Sequence, residues 1–509
     1  MNPFKLIGIL LVLQFASMIS FAQKALRNEW FIGSAKSKIS FNDTFANTFL
    51  LNVNDSIFGY FCCSNSNLCD SSGKFLIGSN SQYVFNSIGA IYSNGDKPNT
   101  DSFNWYNGSS AYSNNSIFIP KGKSSSYLFI STQSDSKVTD FVNNGGVFDF
   151  DEIIYSIIDL KANNGAGEII SNRNLLLKTT QEPWLNNTNF TATKHANGRD
   201  YWLIKPSARQ RNIRYKFLVQ PDTILSFVDT EPIRWSSFTG DNVGQAIFSP
   251  NGEWYAECNS SSPHTIYNFD RCSGLFTLNR LIDMSKYTVS KGWSRWDGVC
   301  FSPNNRFLYT SDAYNIYQID LQEPNDSLAI KVVSIVDTVN FPMYNTMQLT
   351  PTGQLLMGNW GITINTLNGV MQPDNIGVEC KFKLDYIVSH LKFKNVFSPI
   401  GDPPNMPFYE LGAVAGSPCD TIKQSISPFQ NWQIYPNPTQ GKITIQVPNT
   451  MDNFQLAMYN VLGQKVLQKT IAVDIKYRAN LDISNMPNGM YLVLIETGGK
   501  PFIQKLLKY

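Results

Sequence analysis

Charge is the first thing this sequence is short of. Of 509 residues, 16% are Asp, Glu, Lys or Arg, against roughly 25% in an average soluble domain. The 41 basic and 39 acidic residues nearly cancel, leaving a formal charge of +2. That excludes a polycationic nucleic-acid binder, whose hold on phosphates needs clustered Lys and Arg. Histidine is scarcer still, at three, so catalysts built on imidazole have few candidates. Gly-x-Ser-x-Gly elbows, His-Glu-x-x-His helices and phosphate-binding loops are missing from the sequence. Beyond the N-terminus no apolar run approaches the roughly 18 residues of a membrane-spanning helix. Disorder is excluded as well, because 42% of the residues are hydrophobic and disorder needs low hydrophobicity with high net charge.

What stands in place of charge is aromatic, at 13%, together with Asn, Ser and Thr. Such a composition favours strands and turns over surface helices, and the length suits two or more domains. The N-terminus reads as a secretory signal. Lys5 gives the positive region, Leu6 to Ile19 the apolar stretch, and Ser20-Phe21-Ala22 the small residues that place cleavage between Ala22 and Gln23. No Cys lies near that site to be lipidated.

Export makes the eight cysteines candidates for disulfides. Cys258 and Cys272 flank what reads as a β-hairpin, and Cys380 and Cys419 bracket the end of the central region. The expected pairs are Cys258–Cys272 and Cys380–Cys419, with Cys62 or Cys63 bonded to Cys69. Without a Cys-x-x-Cys pair or a nearby His, a metal site is not expected.

The middle of the chain repeats itself. Phe248-Ser249-Pro250-Asn251-Gly252-Glu253-Trp254-Tyr255, Phe301-Ser302-Pro303-Asn304-Asn305-Arg306-Phe307 and Leu349-Thr350-Pro351-Thr352-Gly353-Gln354-Leu355 each read as strand, tight turn, strand. A third strand ending in Asp follows two of them, at Thr265–Asp270 and Asn315–Asp320. Weaker copies are read at Ser56–Phe61 with Lys74–Ile77, at Ile117–Ile130 and at Phe190–Ile204. A spacing of about 50 to 75 residues suits four-stranded propeller blades. Six units are legible, and Glu29–Gly33 combined with Cys380–Leu411 would make a seventh that joins the two chain ends.

The last part carries the most specific signals: Tyr435-Pro436-Asn437-Pro438-Thr439-Gln440-Gly441, then Tyr459-Asn460-Val461-Leu462-Gly463-Gln464-Lys465-Val466, Asn488-Gly489-Met490-Tyr491-Leu492-Val493 and a basic tail through Lys505. Its alternating strands and regular turns predict a small β-sandwich. These blocks closely resemble the type A C-terminal sorting domain of the type IX secretion system of the Bacteroidetes. The resemblance implies export through that machinery, removal of the domain, and a product that is released or fixed to the cell surface. The Phe-Ser-Pro-Asn-Gly turns resemble WD40-like repeats of bacterial propellers. Trp30–Gly33, Tyr155–Leu160, Lys194–Trp202 and Gly416–Thr421 resemble a family of secreted Bacteroidetes propellers over residues 28–421. That family implies fold and destination, not an activity.

Chemistry is thinner. His195 with Arg199 and Asp200 could form a general base held by a carboxylate, but a turn between strands is the plainer reading. Asp149, Asp151 and Glu152 have the oxygen character that Ca²⁺ takes, yet their spacing matches no calcium loop. Trp105, Trp184, Trp235, Trp293, Trp296 and Trp360 fall mostly in loops, where aromatic rings stack on sugars or anchor protein partners. Trp293, Arg295, Trp296 and Trp360 are the binding candidates. Ser56, Thr223, Ser327, Thr338 and Thr421 sit in Asp-[Ser/Thr]-aliphatic triplets that resemble the O-glycosylation motif of exported Bacteroidetes proteins.

The sequence is thus read as mainly β: signal peptide 1–22, a β-propeller of about seven blades over 23–421, a linker 422–431, and an immunoglobulin-like sorting sandwich over 432–509. The expected role is an extracellular binding protein for a glycan or a protein, without a catalytic metal or cofactor. The alternative is a hydrolase or lyase with carboxylates in the propeller funnel.

Overall fold

The computed structural model describes residues 25–32, 37–41, 47–50, 64–81, 83–96, 115–122, 125–133, 150–179, 185, 190–207, 213–230, 244–258, 263–287, 298–312, 314–335, 344–359, 366–388, 392–393, 396–397, 402–419, 433–446, 453–473, 478–496 and 502–509. They fall into two compact units, Met1–Thr421 and Ile422–Tyr509.

The repeated turn explains how the first unit is built. In Ser249-Pro250-Asn251-Gly252, the Ser249 hydroxyl accepts from Trp254 N at 3.0 Å and the Asn251 side chain accepts from Glu253 N at 3.1 Å. Gly252 takes φ +73°, a left-handed conformation that a Cβ disfavours. The second copy repeats this atom for atom: Ser302 accepts from Phe307 N, Asn304 from Arg306 N, and Asn305 holds φ +62°. In the third, Thr350 takes the place of Ser, accepting from Gln354 N, and Gly353 takes φ +86°. The Asp that ends the third strand closes the next turn by accepting a backbone N–H, Asp270 from Cys272 and Asp320 from Gln322. Local side-chain bonds of this kind favour the turn and so help to set the hairpin register.

Each such unit is an antiparallel meander in chain order. Four sheets have four strands apiece, spanning residues 191–230, 246–282, 298–335 and 344–388. Two more meanders, 66–96 and 116–178, join into an eight-stranded sheet where Glu168 pairs with Ser93. Residues 29–50 form a three-stranded sheet. The opening strands pack side by side in two runs: Glu29–Ile32 on Ser66–Cys69 and Ser66–Cys69 on Ser116–Pro120, then Thr191–Lys194 on Ala246–Phe248, Ala246–Phe248 on Gly298–Phe301 and Gly298–Phe301 on Tyr344–Leu349. Glu29–Ile32, Ser66–Cys69, Ala246–Phe248, Gly298–Phe301 and Tyr344–Leu349 are buried along their whole length. Closing strands such as Ile224–Thr230 and Leu275–Ile282 expose every second residue or more. Burial that falls from first strand to last is the signature of sheets set radially about an axis, so the unit is propeller-like.

Cations wedge the sheets together. Arg214 of the 191–230 sheet donates to Tyr267 Oη at 2.7 Å and lies 3.4 Å from the Glu257 carboxylate. Its guanidinium sits over the rings of Tyr255, Tyr267 and Phe276.

The chain ends behave differently from expectation. Glu29–Ile32 pairs with Ser37–Ser40 rather than with strands from the C-terminal side. Phe382–Val388 closes its own meander by pairing with Thr366–Val370. Adjacent hairpins close short loops, which costs far less entropy than uniting distant ends. Residues 402–411 instead run through the axis, with 402–409 buried throughout. Asn405 reaches the opening ends of three meanders: its N–H donates to Asn65 O at 2.7 Å, and its side chain donates to Ser116 O and Phe190 O. Asn345 donates to Asp402, Gln348 to Met406 O, and Tyr409 Oη to Phe118 O. Three basic side chains hold residues 409–412. Lys194 donates to Tyr409 O and Arg271 to Gly412 O, while Arg27 pairs with Glu410 and donates to Leu349 O.

A disulfide completes the attachment, joining Cys272 to Cys419 across 147 residues. The expected pairs Cys258–Cys272 and Cys380–Cys419 are therefore not formed. Glu257 faces Thr265 while Trp254 faces Asn268, so Cys258 and Cys272 lie at opposite ends of their hairpin, out of bonding reach. Cys380 is buried in the 344–388 sheet's last connection, where burial raises its thiol pKa. Cys69 is a buried thiol pushed up to about 12 by burial, tied to the Glu29 backbone. Cys62 and Cys63, its expected partners, lie outside the described residues.

The second unit has two antiparallel sheets. One contains Gln433–Tyr435, Lys442–Gln446 and Arg478–Asp482; the other contains Lys465–Ala472, Asn453–Tyr459, Gly489–Glu496 and Phe502–Lys508. Ile434, Ile443, Ile445 and Leu481 of the first meet Leu456, Met458, Val493, Ile495 and Leu506 of the second in one buried core.

Candidate binding cleft and sorting unit

Most residues singled out from sequence lie outside the described residues: Trp293, Arg295, Trp296 and Trp360, the cleavage pair Ala22 and Gln23, and Ser56, Thr338 and Thr421. Of the remaining triplets, Thr223 sits half-buried in the turn before Ile224–Thr230, where its carbonyl accepts from Gln220 N. Ser327 is exposed on the single-turn helix Asp326–Ala329, its N–H bonded to the Asn325 side chain. Asp149 is not described. Glu152 is buried and bonded to Gln133 and to Lys178, the latter at 2.8 Å. Among the described residues no group of three His, Cys, Asp or Glu side chains is placed to hold a metal ion.

His195 is brought into a turn rather than into a cleft. Its Nδ1 accepts from Asn197 N at 3.1 Å, so the proton resides on Nε2, which donates to Cys272 O at 2.9 Å. Burial lowers its pKa, with bonds to Cys272 and Asn197 opposing. Asp200 does not orient the ring; its carboxylate receives Arg199 and Asn197. Both imidazole nitrogens are thus spent on holding the turn.

A cleft of about 440 Å³ opens on the 246–282 sheet. Its floor follows from strand register. Trp254 faces Asn268, Asn268 faces Thr277, and Asp270 faces Leu275. Opposed residues of antiparallel strands share a side, as do residues two apart. An indole, an amide, a hydroxyl, a carboxylate and a leucine that is 59% exposed therefore lie on one face. The alternation is visible in Tyr267 and Phe269, which are buried, against Asn268 and Asp270, which are exposed.

Glu253, Arg271 and Ala196 form the walls, and Val414 and Ser417 of the returning tail form the roof. The roof is fixed by Val414 N donating to Ala196 O, by Arg271 donating to Gly412 O and by the Cys272–Cys419 bond. Arg271 also donates to Lys194 O and His195 O, so its charge serves the backbone. Burial lowers its pKa to about 10. Asp270 is partly buried, which raises its pKa, but bonds from Cys272 and Ser273 outweigh that and leave it lowered. It is ionised at neutral pH, as an acceptor. None of these lining residues was a binding candidate in the sequence, because only the three-strand register brings Trp254, Asn268 and Thr277 into a row.

In the second unit the motif residues do structural work at one end. The Asn437 side chain donates to Lys505 O at 2.6 Å and accepts from Leu507 N at 3.0 Å, tying the Tyr-Pro-Asn-Pro segment to the basic tail. Gly441, at φ +128°, packs so closely on Ser484 that a Cβ would lie 2.6 Å from its Cα. Asn460 accepts from Leu462 N and Gln464 N around Gly463, and Lys508 donates to Asn488.

No curated protein shows significant sequence similarity to the chain. Among solved structures, it is similar to a protein assigned as a 6-phosphogluconolactonase from Bacteroides uniformis, with 14% identity over 74% of this chain and 98% of that one and a TM-score of 0.44. It is also similar to virginiamycin B lyase from Staphylococcus aureus (9% identity, 68% and 81% coverage, TM-score 0.32) and to the Dos1 propeller (11%, 65% and 80%, 0.33). Nothing about chemistry follows from likeness at this level. The C-terminal unit is decided by its own sequence: residues 433–509 match the secretion system C-terminal sorting domain, the address by which the type IX system exports proteins to the cell surface or the extracellular space.

Proposed function

We propose that this chain is an exported β-propeller that binds a glycan or a protein outside the cell. In this reading an N-terminal signal ending at Ala22 takes it across the inner membrane. The sorting sandwich, of immunoglobulin type, takes it through the type IX machinery of a member of the Bacteroidetes and is then removed. The propeller has seven blades, the three-stranded sheet at 29–50 counting as one. The observation that carries the proposal is the sorting-domain match attached to a propeller-like unit. The funnel hydrolase or lyase loses ground because residues 402–411 run through the axis where its carboxylates would need open space. The two tail carboxylates described there, Asp402 and Glu410, are bonded to Asn345 and Arg27.

The test is mass spectrometry of the protein recovered outside a type IX-competent cell. An N-terminus at Gln23 and loss of the C-terminal unit are expected. Retention inside the cell of full-length protein, or equal export of a chain lacking residues 433–509, would overturn it.

A further inference from the structure

We propose that the cleft on the 246–282 sheet is a binding site for a neutral saccharide. The inference rests on the reading of the chain as an extracellular binding protein and assigns its ligand class and site. The cleft's volume, about 440 Å³, lies within the range of small-ligand sites, roughly 300–1,000 Å³. Its lining mixes apolar and polar groups in the way a sugar ring demands. A pyranose has one face of C–H groups that packs on an aromatic plane, and a rim of hydroxyls that need both donors and acceptors. Trp254 supplies the ring and Leu275 further apolar surface. Asn268 and Thr277 supply donors and acceptors in the same cross-strand row, and the carboxylates of Glu253 and Asp270 add acceptors.

Charge narrows the class. Two carboxylates line the cleft, while the guanidinium of Arg271 is turned to the carbonyls of Lys194, His195 and Gly412. An acidic sugar would therefore be repelled and a neutral one accepted. The site is also held ready. Its floor is hydrogen-bonded sheet, and its roof at Val414 and Ser417 is clamped by the Cys272–Cys419 bond beside it, so little ordering entropy remains to be lost on binding.

The experiment is titration of the full chain with neutral β-glucan, xylan, mannan and chitin oligosaccharides, and with oligogalacturonate, followed by calorimetry and saturation-transfer NMR. At least one neutral oligosaccharide should bind, and oligogalacturonate at least tenfold more weakly than it. Asn268→Ala, Thr277→Val and Trp254→Ala should each weaken binding about tenfold or more, and reduction of the disulfide should weaken it in the unaltered chain. Because Trp254 also touches the core, the exposed Asn268 and Thr277 variants decide if Trp254→Ala fails to fold. Binding unchanged in these variants but lost in Trp293→Ala/Trp296→Ala would overturn the cleft while leaving the binding-protein reading intact. Binding of oligolysine with no neutral sugar bound would also overturn the cleft. Steady conversion of a bound oligosaccharide to products would overturn the binding-protein reading.

Discussion

His195 shows how a residue with catalytic credentials is absorbed by structure. With Nδ1 accepting and Nε2 donating, the neutral ring fits its turn and the protonated ring does not, because a second proton on Nδ1 would face the Asn197 N–H. Its folded pKa is lowered by burial, which outweighs the opposing bonds to Cys272 and Asn197. The unfolded chain, with a His pKa of about 6.5, takes up the proton first. Stability should therefore be full above that pH and fall as pH drops through it. Thermal melting from pH 7.5 to 5.5 should show this loss, and His195→Gln, which cannot charge, should flatten that part of the profile. An identical pH slope in the variant would assign the loss to other groups. The same turn explains why Asp200 is no partner to the ring: Arg199 and Asn197 already use its oxygens.

At the scale of elements, the Ser-Pro-Asn-Gly hairpins and the returning tail are opposites. The hairpins are local, and their side-chain bonds span five residues or fewer. They are legible in sequence for that reason. The tail at 402–419 has no regular structure of its own and is ordered by partners as distant as Arg27 and Asn65. The Cys272–Cys419 bond closes a loop of 147 residues, and bridging a loop that long limits the unfolded chain by about 2–5 kcal/mol. Cys272→Ser/Cys419→Ser should lower the urea midpoint of the first unit by an equivalent amount. It should also make the tail the first site of protease cleavage. The buried Cys258, Cys300 and Cys380 should not become reactive to alkylating reagent in the folded variant. A midpoint unchanged from the parent would show that the basic side chains alone hold the tail.

For the molecule as a whole, the fold ends where the tail is anchored and not where the last meander closes. A chain ending at Thr421 should keep the cooperative melting of the first unit. A chain ending at Ile400 should lose it, because Asn65 O, Ser116 O and Phe190 O would give up Asn405 in the buried axis. Circular dichroism melts of the two would check this; equal melting would deny the tail its role. The sequence by itself determined the β class, the repeated hairpins, and the sorting unit, whose motifs are contiguous turns and strands. It also set the near-zero net charge. Tertiary structure alone decided the disulfide, because Cys272 and Cys419 meet only after the chain has passed through the axis. It decided the occupant of that axis, since 402–411 carries no periodic signal of its own. It decided the cleft as well: Trp254, Asn268 and Thr277 are ordinary polar and aromatic residues until strand register sets them in one row beneath a roof that arrives from the other end of the unit.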